Sequence, residues 1–307
     1  MPFEIPDWRP EKWRDVPENP LIEPSDGSEP GSVIGDPQVI PPGKFDEYWH
    51  LFAHSGMRIY RFKSLDGIHW KSGGTLPFPG ALVYLFKEDD TWYIFYTVYE
   101  EPPNTKICMR ESVDLESWSE ETVILKPELP WELEGPCKQV RNPCLVKVGD
   151  RYRLYYSGGT IWFDDCGYEE PKYVGFAEAE DIHGPYKRCE NPILRPDPNV
   201  PYRNFGAGAL KVYRWRGEYL GFNNGIYKDS DGRSRSAICL LASSDGVAWV
   251  DALFNPVIAP TGGWKRAMVY QLDVVFDVDG ETRIYYNARD GWRGGVERIG
   301  CSILVER

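Results

Sequence analysis

The chain has 307 residues, of which 42% are hydrophobic and 14% aromatic, enough apolar material for a large core. Its formal net charge of −12 and its lack of a basic run argue against nucleic acid as a partner. Seven cysteines without a Cys-x-x-Cys pair argue against a disulfide scaffold or a zinc site, and neither a signal-like N-terminus nor an apolar run of membrane-spanning length is found, so we expect a cytoplasmic protein with no membrane partner.

The first part of the chain combines an irregular segment with a short motif that returns later. Residues 1–18 are rich in Pro and Trp, and we expect them to wrap around the outside of the fold. Residues 19–24, Asn-Pro-Leu-Ile-Glu-Pro, recur in similar form at 191–196 and 255–260, with a looser copy at 122–127. Such recurrence indicates a repeated supersecondary unit.

The clearest copy of that unit lies between residues 140 and 196. Two strands, 142–148 and 151–156, are joined by a Gly-Asp turn, a third strand covers 173–179, and the repeated motif closes the unit. Short β-rich runs separated by Gly and Asp are typical of an antiparallel four-stranded meander. The aromatic second strand recurs four more times, which makes the following residues equivalent: Phe52, Tyr96, Tyr156, Phe222 and Tyr286.

A Ser-x-Asp-x-x-x-Trp pattern follows the third strand in three of the units. Its aspartates are Asp66, Asp114 and Asp245. We interpret the Asp as the cap of a turn and the Trp as packing between sheets, which is a structural role and not a catalytic one.

Five units of this kind predict an all-β fold, a five-bladed β-propeller with four-stranded antiparallel blades, in a single domain over residues 1–307. After Tyr286 only one more strand, 298–305, remains, so the last blade lacks its outer strand. We expect residues 19–24 to supply that strand and to close the ring without a free sheet edge.

The topology of a propeller brings candidate ligand-binding residues to one mouth, where the inner strands begin and the loops after the second strands open. The inner strands and the loops before them contribute Asp36, Glu134, Arg141, Asn142, Tyr270 and Asp273. The ends of the second strands contribute His54, Trp162, Asn223, Arg289 and Asp290. Aromatic rings that stack on sugar faces and polar groups that bind hydroxyls suit a carbohydrate ligand.

On these features the chain resembles the five-bladed propeller glycoside hydrolases, the clan that holds families 43, 32, 68 and 117, with family 130 as a neighbour. The resemblance covers about residues 19 to 305 at the level of the blade pattern. Gly35-Asp36-Pro37 matches the Asp-Pro that carries the catalytic base or nucleophile of the clan. Two positions depart from the pattern: Asn142 stands where blade three usually has Asp, and 204–208 lacks the general-acid Glu of blade four.

Glycoside hydrolysis needs one carboxyl group that protonates the leaving oxygen and a second that acts as base or nucleophile. If Asp36 is the second, the acid has to come from elsewhere. Glu134 and Asp273 are the two carboxyl candidates, and His54 is a third, since a His can donate a proton near neutral pH.

Three functions follow from these residues. The first is a glycoside hydrolase-like enzyme that acts on a small oligosaccharide or glycoside. The second is a non-catalytic or repurposed carbohydrate-binding propeller, and the third is a glycoside phosphorylase or transferase in which Arg141, Arg203 and Arg266 hold an anion. No cofactor and no metal ligand set is predicted, although some members of the clan carry a cation on the channel axis, and the sequence indicates no oligomeric state.

Overall fold

The computed structural model describes residues 4–24, 31–100 and 104–305. Over these ranges the chain forms five four-stranded antiparallel sheets, the blades of a β-propeller. The predicted fold class and the number of blades are therefore confirmed.

The first two complete blades are built from consecutive strands. The chain begins with β1 (Trp13–Asp15), which belongs to the last blade. Blade 1 contains β2 (Gly35–Ile40), β3 (Trp49–Ser55), β4 (Arg58–Ser64) and β5 (Lys71–Pro79). Blade 2 contains β6 (Ala81–Glu88), β7 (Thr91–Tyr99), β8 (Thr105–Ser112) and β9 (Thr122–Leu125).

The other three blades follow in chain order, and the last of them takes its outer strand from the N-terminal segment. Blade 3 contains β10 (Val140–Val148), β11 (Arg151–Phe163), β12 (Tyr168–Ala179) and β13 (Lys187–Arg188). Blade 4 contains β14 (Leu210–Trp215), β15 (Glu218–Lys228), β16 (Ser234–Ser243) and β17 (Val250–Asp251). Blade 5 contains β18 (Met268–Val278), β19 (Glu281–Arg289), β20 (Glu297–Leu304) and β1.

Helical structure in the described residues is limited to three single turns of 3₁₀-helix, at Pro10–Lys12, Pro201–Arg203 and Gly263–Lys265. A helix that could cross a membrane is therefore absent from the part of the chain that the structure describes.

The aromatic second strands supply the packing between blades. The five equivalent residues Phe52, Tyr96, Tyr156, Phe222 and Tyr286 are all almost completely buried. Each belongs to a hydrophobic cluster that joins neighbouring sheets. Aromatic side chains bury large areas in a pleated surface, which explains why the repeat is visible in the sequence at these positions.

The Ser-x-Asp-x-x-x-Trp pattern has the structural role predicted for it. Asp66 Oδ1 accepts hydrogen bonds from the backbone N–H groups of Ile68 and His69, at 2.9 and 2.8 Å, and Asp114 and Asp245 cap their turns in the same way. Trp70 packs edge-on against a ring of the neighbouring blade, Tyr285. The pattern therefore ties adjacent blades together at their outer turns.

The ring is closed by the N-terminal segment, as predicted, but the strand lies earlier than expected. β1 pairs antiparallel with β20, with Trp13 opposite Leu304 and Asp15 opposite Ser302. Of residues 19–24, which were expected to form the strand, only Ile22 pairs, in a single bridge to Ile299. The closing strand therefore falls within residues 1–18, the segment expected to wrap around the outside.

The Asn-Pro motif explains this shift. Asn19 imitates a strand residue with its side chain, because its amide donates to Cys301 O (2.7 Å) and accepts from Cys301 N (2.8 Å). Asn255 forms the same two bonds with Leu240 in blade 4. In each case the following proline has no N–H to add to a ladder. The motif therefore follows a short outer strand and adds two contacts to the neighbouring strand, the hydrogen bonds of the Asn side chain and a single β-bridge.

We predict that deletion of residues 1–24 opens the ring and greatly lowers the melting temperature. The segment buries Trp8, Trp13, Val16 and Ile22, and at about 1.5–3 kcal/mol per buried side chain their loss is comparable with the whole unfolding free energy of many domains, about 5–15 kcal/mol. Calorimetry or circular dichroism measures the change. Deletion of residues 1–6 alone, which leaves these four side chains in place, is the control and should have a small effect; equal melting temperatures for the two deletions would contradict the assignment.

Candidate functional site

The inner strands of four blades begin with the same irregularity, a β-bulge in which two residues face one on the second strand. The bulged pairs are Asp36-Pro37, Leu82-Val83, Asn142-Pro143 and Tyr270-Gln271. Bulges redirect side chains and are common beside functional sites. Proline is tolerated at two of these positions because a bulged residue needs no ladder hydrogen bond.

The first residue of three bulges has left-handed backbone geometry. The φ angles are 57° at Asp36, 52° at Leu82 and 56° at Asn142. This region costs a non-glycine residue on the order of 1–3 kcal/mol and is kept only where the surroundings impose it. Here the surroundings are the ladder pairs that the inner strand forms with the second strand before and after each bulge.

These bulges line one pocket at the end of the central channel. Its polar lining consists of Asp36, His54, Arg141, Asn142, Glu170, Asn224, Tyr270, Gln271, Asn287 and Glu297. The pocket has a volume of about 110 Å³, and a cavity of ~150 Å³ can hold one benzene ring. The pocket is smaller than that closed cavity but is open to solvent, so the ligand that suits it is at most one ring, which would lie partly outside it.

Asp36 is paired with a histidine from the neighbouring strand of its blade. His54 Nε2 lies 2.7 Å from Asp36 Oδ2, and His54 Nδ1 lies 3.1 Å from Gly56 O. Burial opposes the charged imidazolium, but the hydrogen bond and the charge of Asp36 outweigh it and raise the pKa of His54. Both ring nitrogens face acceptors, so a protonated His54 donates to the Asp36 carboxylate and stabilises its negative charge.

Glu297 lies beside Asp36 and is connected to it through one amide. Asn287 Oδ1 accepts a hydrogen bond from Asp36 N at 3.1 Å, and Asn287 Nδ2 donates to Glu297 Oε1. Arg289 Nη1 is 3.7 Å from Glu297 Oε2. The second and third strands of blade 5 therefore hold the backbone of Asp36 in place.

Glu170 enters the pocket from blade 3, near the tip of the long β11–β12 hairpin. Arg141 Nη2 lies 3.5 Å from Glu170 Oε2, a long ion pair in a buried setting. The side chain of Glu170 is 17% exposed, compared with 10% for Glu297. Of the two glutamates, Glu170 is thus the one with more room to meet a ligand.

Burial and mutual repulsion raise the pKa of both glutamates. Burial raises the pKa of Glu170 to about 8 against the opposing charge of Arg141, and the charges of Glu297 and Asp36 add to the rise. Burial likewise raises the pKa of Glu297 to about 7, with Arg289 opposing and Asp36 adding. Glu170 is therefore largely protonated at neutral pH.

Two tyrosines connect the blade-3 hairpin with blade 5. The hydroxyl groups of Tyr270 and Tyr168 share a hydrogen bond, and the Arg289 guanidinium lies 5.2 Å from the centre of the Tyr168 ring. Burial raises the pKa of Tyr270 well above its ordinary value, so this side chain remains a neutral hydroxyl.

The two carboxyl groups expected opposite Asp36 lie outside the lining of this pocket. Glu134 is on an exposed loop, where hydrogen bonds from Lys172 and Tyr173 lower its pKa. Asp273 is further along the inner strand and accepts hydrogen bonds from Val39 N (2.7 Å) and Tyr213 OH (2.7 Å). Burial raises the pKa of Asp273, but its partners are protein groups of blades 1 and 4.

The other predicted residues divide in the same way. His54, Arg141, Asn142 and Tyr270 line the pocket with Asp36. Four residues do not line it: Trp162, Asn223, Arg289 and Asp290. Trp162 is 47% exposed on the β11–β12 hairpin.

The remaining three have structural partners. Asn223 donates to Ala207 O and Ala209 O, and so holds the entry to the inner strand of blade 4. Asp290 accepts from Val296 N and from Arg298. Arg289 lies behind Glu297. Because successive residues of a strand point to opposite faces, Asn224, the residue after Asn223, lines the pocket in its place.

Sequence reasoning missed four pocket residues: Glu170, Gln271, Asn287 and Glu297. The two glutamates lie on third strands, at the ends nearest the mouth, and these strand ends were not considered as part of it. Both could have been noticed in the sequence, because an acidic residue next to an apolar or aromatic strand has to be either exposed to solvent or paired with another group. Gln271 was hidden by the bulge, which shifts the inner strand of blade 5 by one residue.

Across the described residues, no group of three or more His, Cys, Asp or Glu side chains is arranged to hold a metal ion.

No family sequence model matches the chain, and no curated protein is similar to it in sequence. Solved structures share its fold. A glycosyl hydrolase from Bacteroides ovatus is 13% identical, with a TM-score of 0.67, over 97% of this chain and 95% of its own. The α-L-arabinofuranosidase of Podospora anserina, in complex with cellotriose, is 18% identical, with a TM-score of 0.65, over 97% of this chain and 98% of its own.

A third similar structure has a different chemistry. It is an N-acetylgalactosamine deacetylase from F. plautii in complex with blood group B trisaccharide, 13% identical, with a TM-score of 0.67, over 95% of this chain and 94% of its own. At these identities the similarity establishes the five-bladed fold, and the function has to be argued from the site. The resemblance to propeller glycoside hydrolases is confirmed at that level.

The raised pKa values predict how stability depends on pH. Glu170 has a pKa of about 8 in the folded chain and an ordinary value near 4.5 when unfolded, so the folded state binds more protons between these values and stability falls as pH rises through that window. Glu170→Gln removes this effect. We predict that its melting temperature matches that of the wild type near pH 4.5 and exceeds it at pH 8.

Glu134→Gln is the matched control, because hydrogen bonds lower the pKa of Glu134 and the side chain is half exposed. This variant should gain no stability at pH 8. Thermal denaturation across the pH range measures all three proteins; a Glu170→Gln protein that loses stability at pH 8 would show that Glu170 is ionised and paired in the fold.

Proposed function

We propose that the protein is a glycoside hydrolase that cleaves a small oligosaccharide or glycoside in the pocket at the end of the channel. The observation that carries the proposal is the presence of two unlike carboxyl groups in the lining of one small pocket. Asp36 accepts from His54, whereas Glu170 has its pKa raised to about 8. Titratable groups whose surroundings differ in this way can take the base and acid roles.

In this mechanism Asp36 is the base or nucleophile. Its carboxylate is held by His54 and by the backbone contact to Asn287, so one face of the sugar meets a fixed negative charge. A base acts on water at the anomeric carbon, and a nucleophile attacks that carbon directly.

Glu170 is the general acid in the proposal. It carries a proton at neutral pH, and it is the more exposed of the two raised-pKa glutamates. It can therefore protonate the glycosidic oxygen as the bond breaks, which a glycoside needs because an alkoxide is a poor leaving group. Arg141 then stabilises the carboxylate that forms, since it already lies 3.5 Å away.

Glu297 has a supporting role. It fixes Asn287, which in turn holds the backbone of Asp36. Its own negative charge also raises the pKa of Glu170. The charge of Glu297 therefore favours the protonated form of the proposed acid.

Carbohydrate is the ligand class favoured by the fold neighbours as well. Two of the similar structures contain an oligosaccharide, blood group B trisaccharide in one and cellotriose in the other. A phosphorylase receives less support, because only Arg141 of the three arginines considered for an anion site lines the pocket. Arg203 is paired with Asp251 (2.6 Å), and Arg266 is exposed and donates to Asp290 O (2.8 Å).

We predict that Glu170→Ala affects substrates according to their leaving group. Aryl glycosides with strongly activated leaving groups need little protonation, so their kcat should fall far less than that of unactivated glycosides, for which the loss of an acid costs about 10²–10⁴-fold. In the wild type, kcat/KM should decline above about pH 8 as Glu170 loses its proton, and this decline should vanish in the variant.

Two further variants make the test specific. Asp36→Asn should harm activated and unactivated substrates alike, because the base or nucleophile serves both. Glu134→Ala, which removes a carboxyl group outside the pocket, should leave both rates near the wild-type values. Equal losses on the two substrate types in Glu170→Ala would exclude Glu170 as the acid.

A further inference from the structure

Three buried polar atoms at the pocket have no hydrogen-bond partner. They are Asn142 Oδ1, Gln271 Oε1 and Arg141 Nε. All three residues line the pocket and are more than nine-tenths buried, with exposures of 8%, 5% and 7%. Buried polar atoms without a partner are rare in folded proteins, and each needs an explanation.

The arrangement of these atoms is asymmetric in the pocket. Asn142 and Gln271 belong to the bulges of blades 3 and 5, whereas the equivalent bulge of blade 2 presents the apolar Leu82. The amide of Gln271 makes no hydrogen bond with the part of the chain that the structure describes. The lining of the pocket therefore contains two acceptors and one donor without partners, together with the apolar Leu82.

The charged groups of the pocket already face partners. Arg141 lies beside Glu170, Arg289 beside Glu297, and His54 beside Asp36. A ligand with its own charge would have to compete with one of these pairs. The unpartnered atoms therefore need neutral ligand groups that can both donate and accept hydrogen bonds, and hydroxyl groups do both.

We propose that Gln271 and Asn142 bind two hydroxyl groups of one uncharged sugar ring, and that Gln271 determines which sugar is accepted. The inference rests on the proposed function for the location of the ring, but it concerns recognition and not bond cleavage. The hydroxyl groups donate to Gln271 Oε1 and Asn142 Oδ1, and Arg141 Nε donates to an oxygen of the same ring. A site built to bind a hydroxyl group discriminates strongly against a ligand that lacks it.

Gln271→Met separates recognition from folding. Methionine has a similar length and no amide, so it removes an unpartnered polar group from the interior. The variant should be at least as stable as the wild type without ligand and should bind sugar more weakly by roughly five- to tenfold, the factor for one hydrogen bond. A residue with a merely structural role would lose stability and keep its affinity.

Gln38 offers a matched control. It is also a buried glutamine on an inner strand with an unpartnered Oε1, but it donates to Asp273 and lies outside the lining of this pocket. Gln38→Met should therefore show the reverse pattern, with lower thermal stability and unchanged affinity for the sugar.

The experiment is calorimetric titration of the three proteins with neutral methyl glycosides of D-xylose, D-glucose, D-galactose, D-mannose and L-arabinose, together with their melting temperatures. For the sugar that binds best, each mono-deoxy analogue is then compared between wild type and Gln271→Met. One deoxy position should weaken binding to the wild type and have no further effect in Gln271→Met, since the two changes remove the same hydrogen bond.

The outcomes separate the two proposals. Sugar binding that depends on Gln271, without any hydrolysis, would leave this inference standing and overturn the proposed function. Hydrolysis by the wild type together with an unchanged KM in Gln271→Met would support the proposed function and overturn this inference. The inference is also overturned if none of the methyl glycosides binds, if Gln271→Met binds as tightly as the wild type, or if it loses as much stability as Gln38→Met.

Discussion

The contact on which the site depends is a parallel bridge between residues 32–34, which lead into blade 1, and the first residue of β20. Glu297 N–H donates to Ser32 O at 2.9 Å, and Ile34 N–H donates to Glu297 O at 3.1 Å. The chain continues from Ile34 directly into Gly35 and Asp36. This bridge, next to the β1–β20 pairing that closes the ring, therefore sets Asp36 beside Glu297.

The glycine between them shows how close this approach is. A Cβ atom on Gly35 would lie 2.8 Å from both Asn287 Nδ2 and Glu297 Oε1, closer than real side chains come. A larger residue would push the Asn287–Glu297 pair away from the backbone that it holds. The contacts of residues 32–36 with Asn287 and Glu297 thus both join blade 1 to blade 5 and position the proposed base. Loss of these contacts would lower both the stability and the proposed activity.

The pocket concentrates charge at a cost in stability. Glu170 and Glu297 are buried next to Asp36, and burial and mutual repulsion raise the pKa of both. Each unit by which a pKa is raised corresponds to about 1.4 kcal/mol between the two protonation states, so the ionised forms of these glutamates are costly in the folded protein. Arg141, Arg289 and His54 offset part of the cost by facing the three carboxyl groups.

Much of the fold could be predicted from the sequence, since the aromatic second strands and the capped turns repeat with the blades. The outer strand of the last blade was placed too late because the Asn19 side chain imitates a strand residue. Asp36 and Asn142 were found because they stand at the start of inner strands in positions that match the Asp-Pro pattern of the clan, whereas Gln271 has no such motif and lies one residue beyond the predicted Tyr270.

Glu170 and Glu297 could not have been assigned from local pattern alone. Burial is the main cause of their raised pKa values, and the charges of carboxyl groups from other blades add to the rise; both arise only when the ring is closed. The same holds for Glu134 and Asp273, which had suitable positions in the sequence but have protein partners in the fold. Side-chain surroundings in the interior decide such roles, and periodicity does not reveal them.

The central claim is that Glu170 keeps its proton at neutral pH beside Asp36. It is tested most directly by a ¹³C NMR titration of protein labelled at the glutamate side-chain carboxyl, with the Glu170 signal assigned by its loss in Glu170→Gln. We predict a midpoint near pH 8 for this signal. A midpoint near the ordinary glutamate value, about 4.3, would show that Glu170 is ionised at neutral pH and would contradict its assignment as the acid.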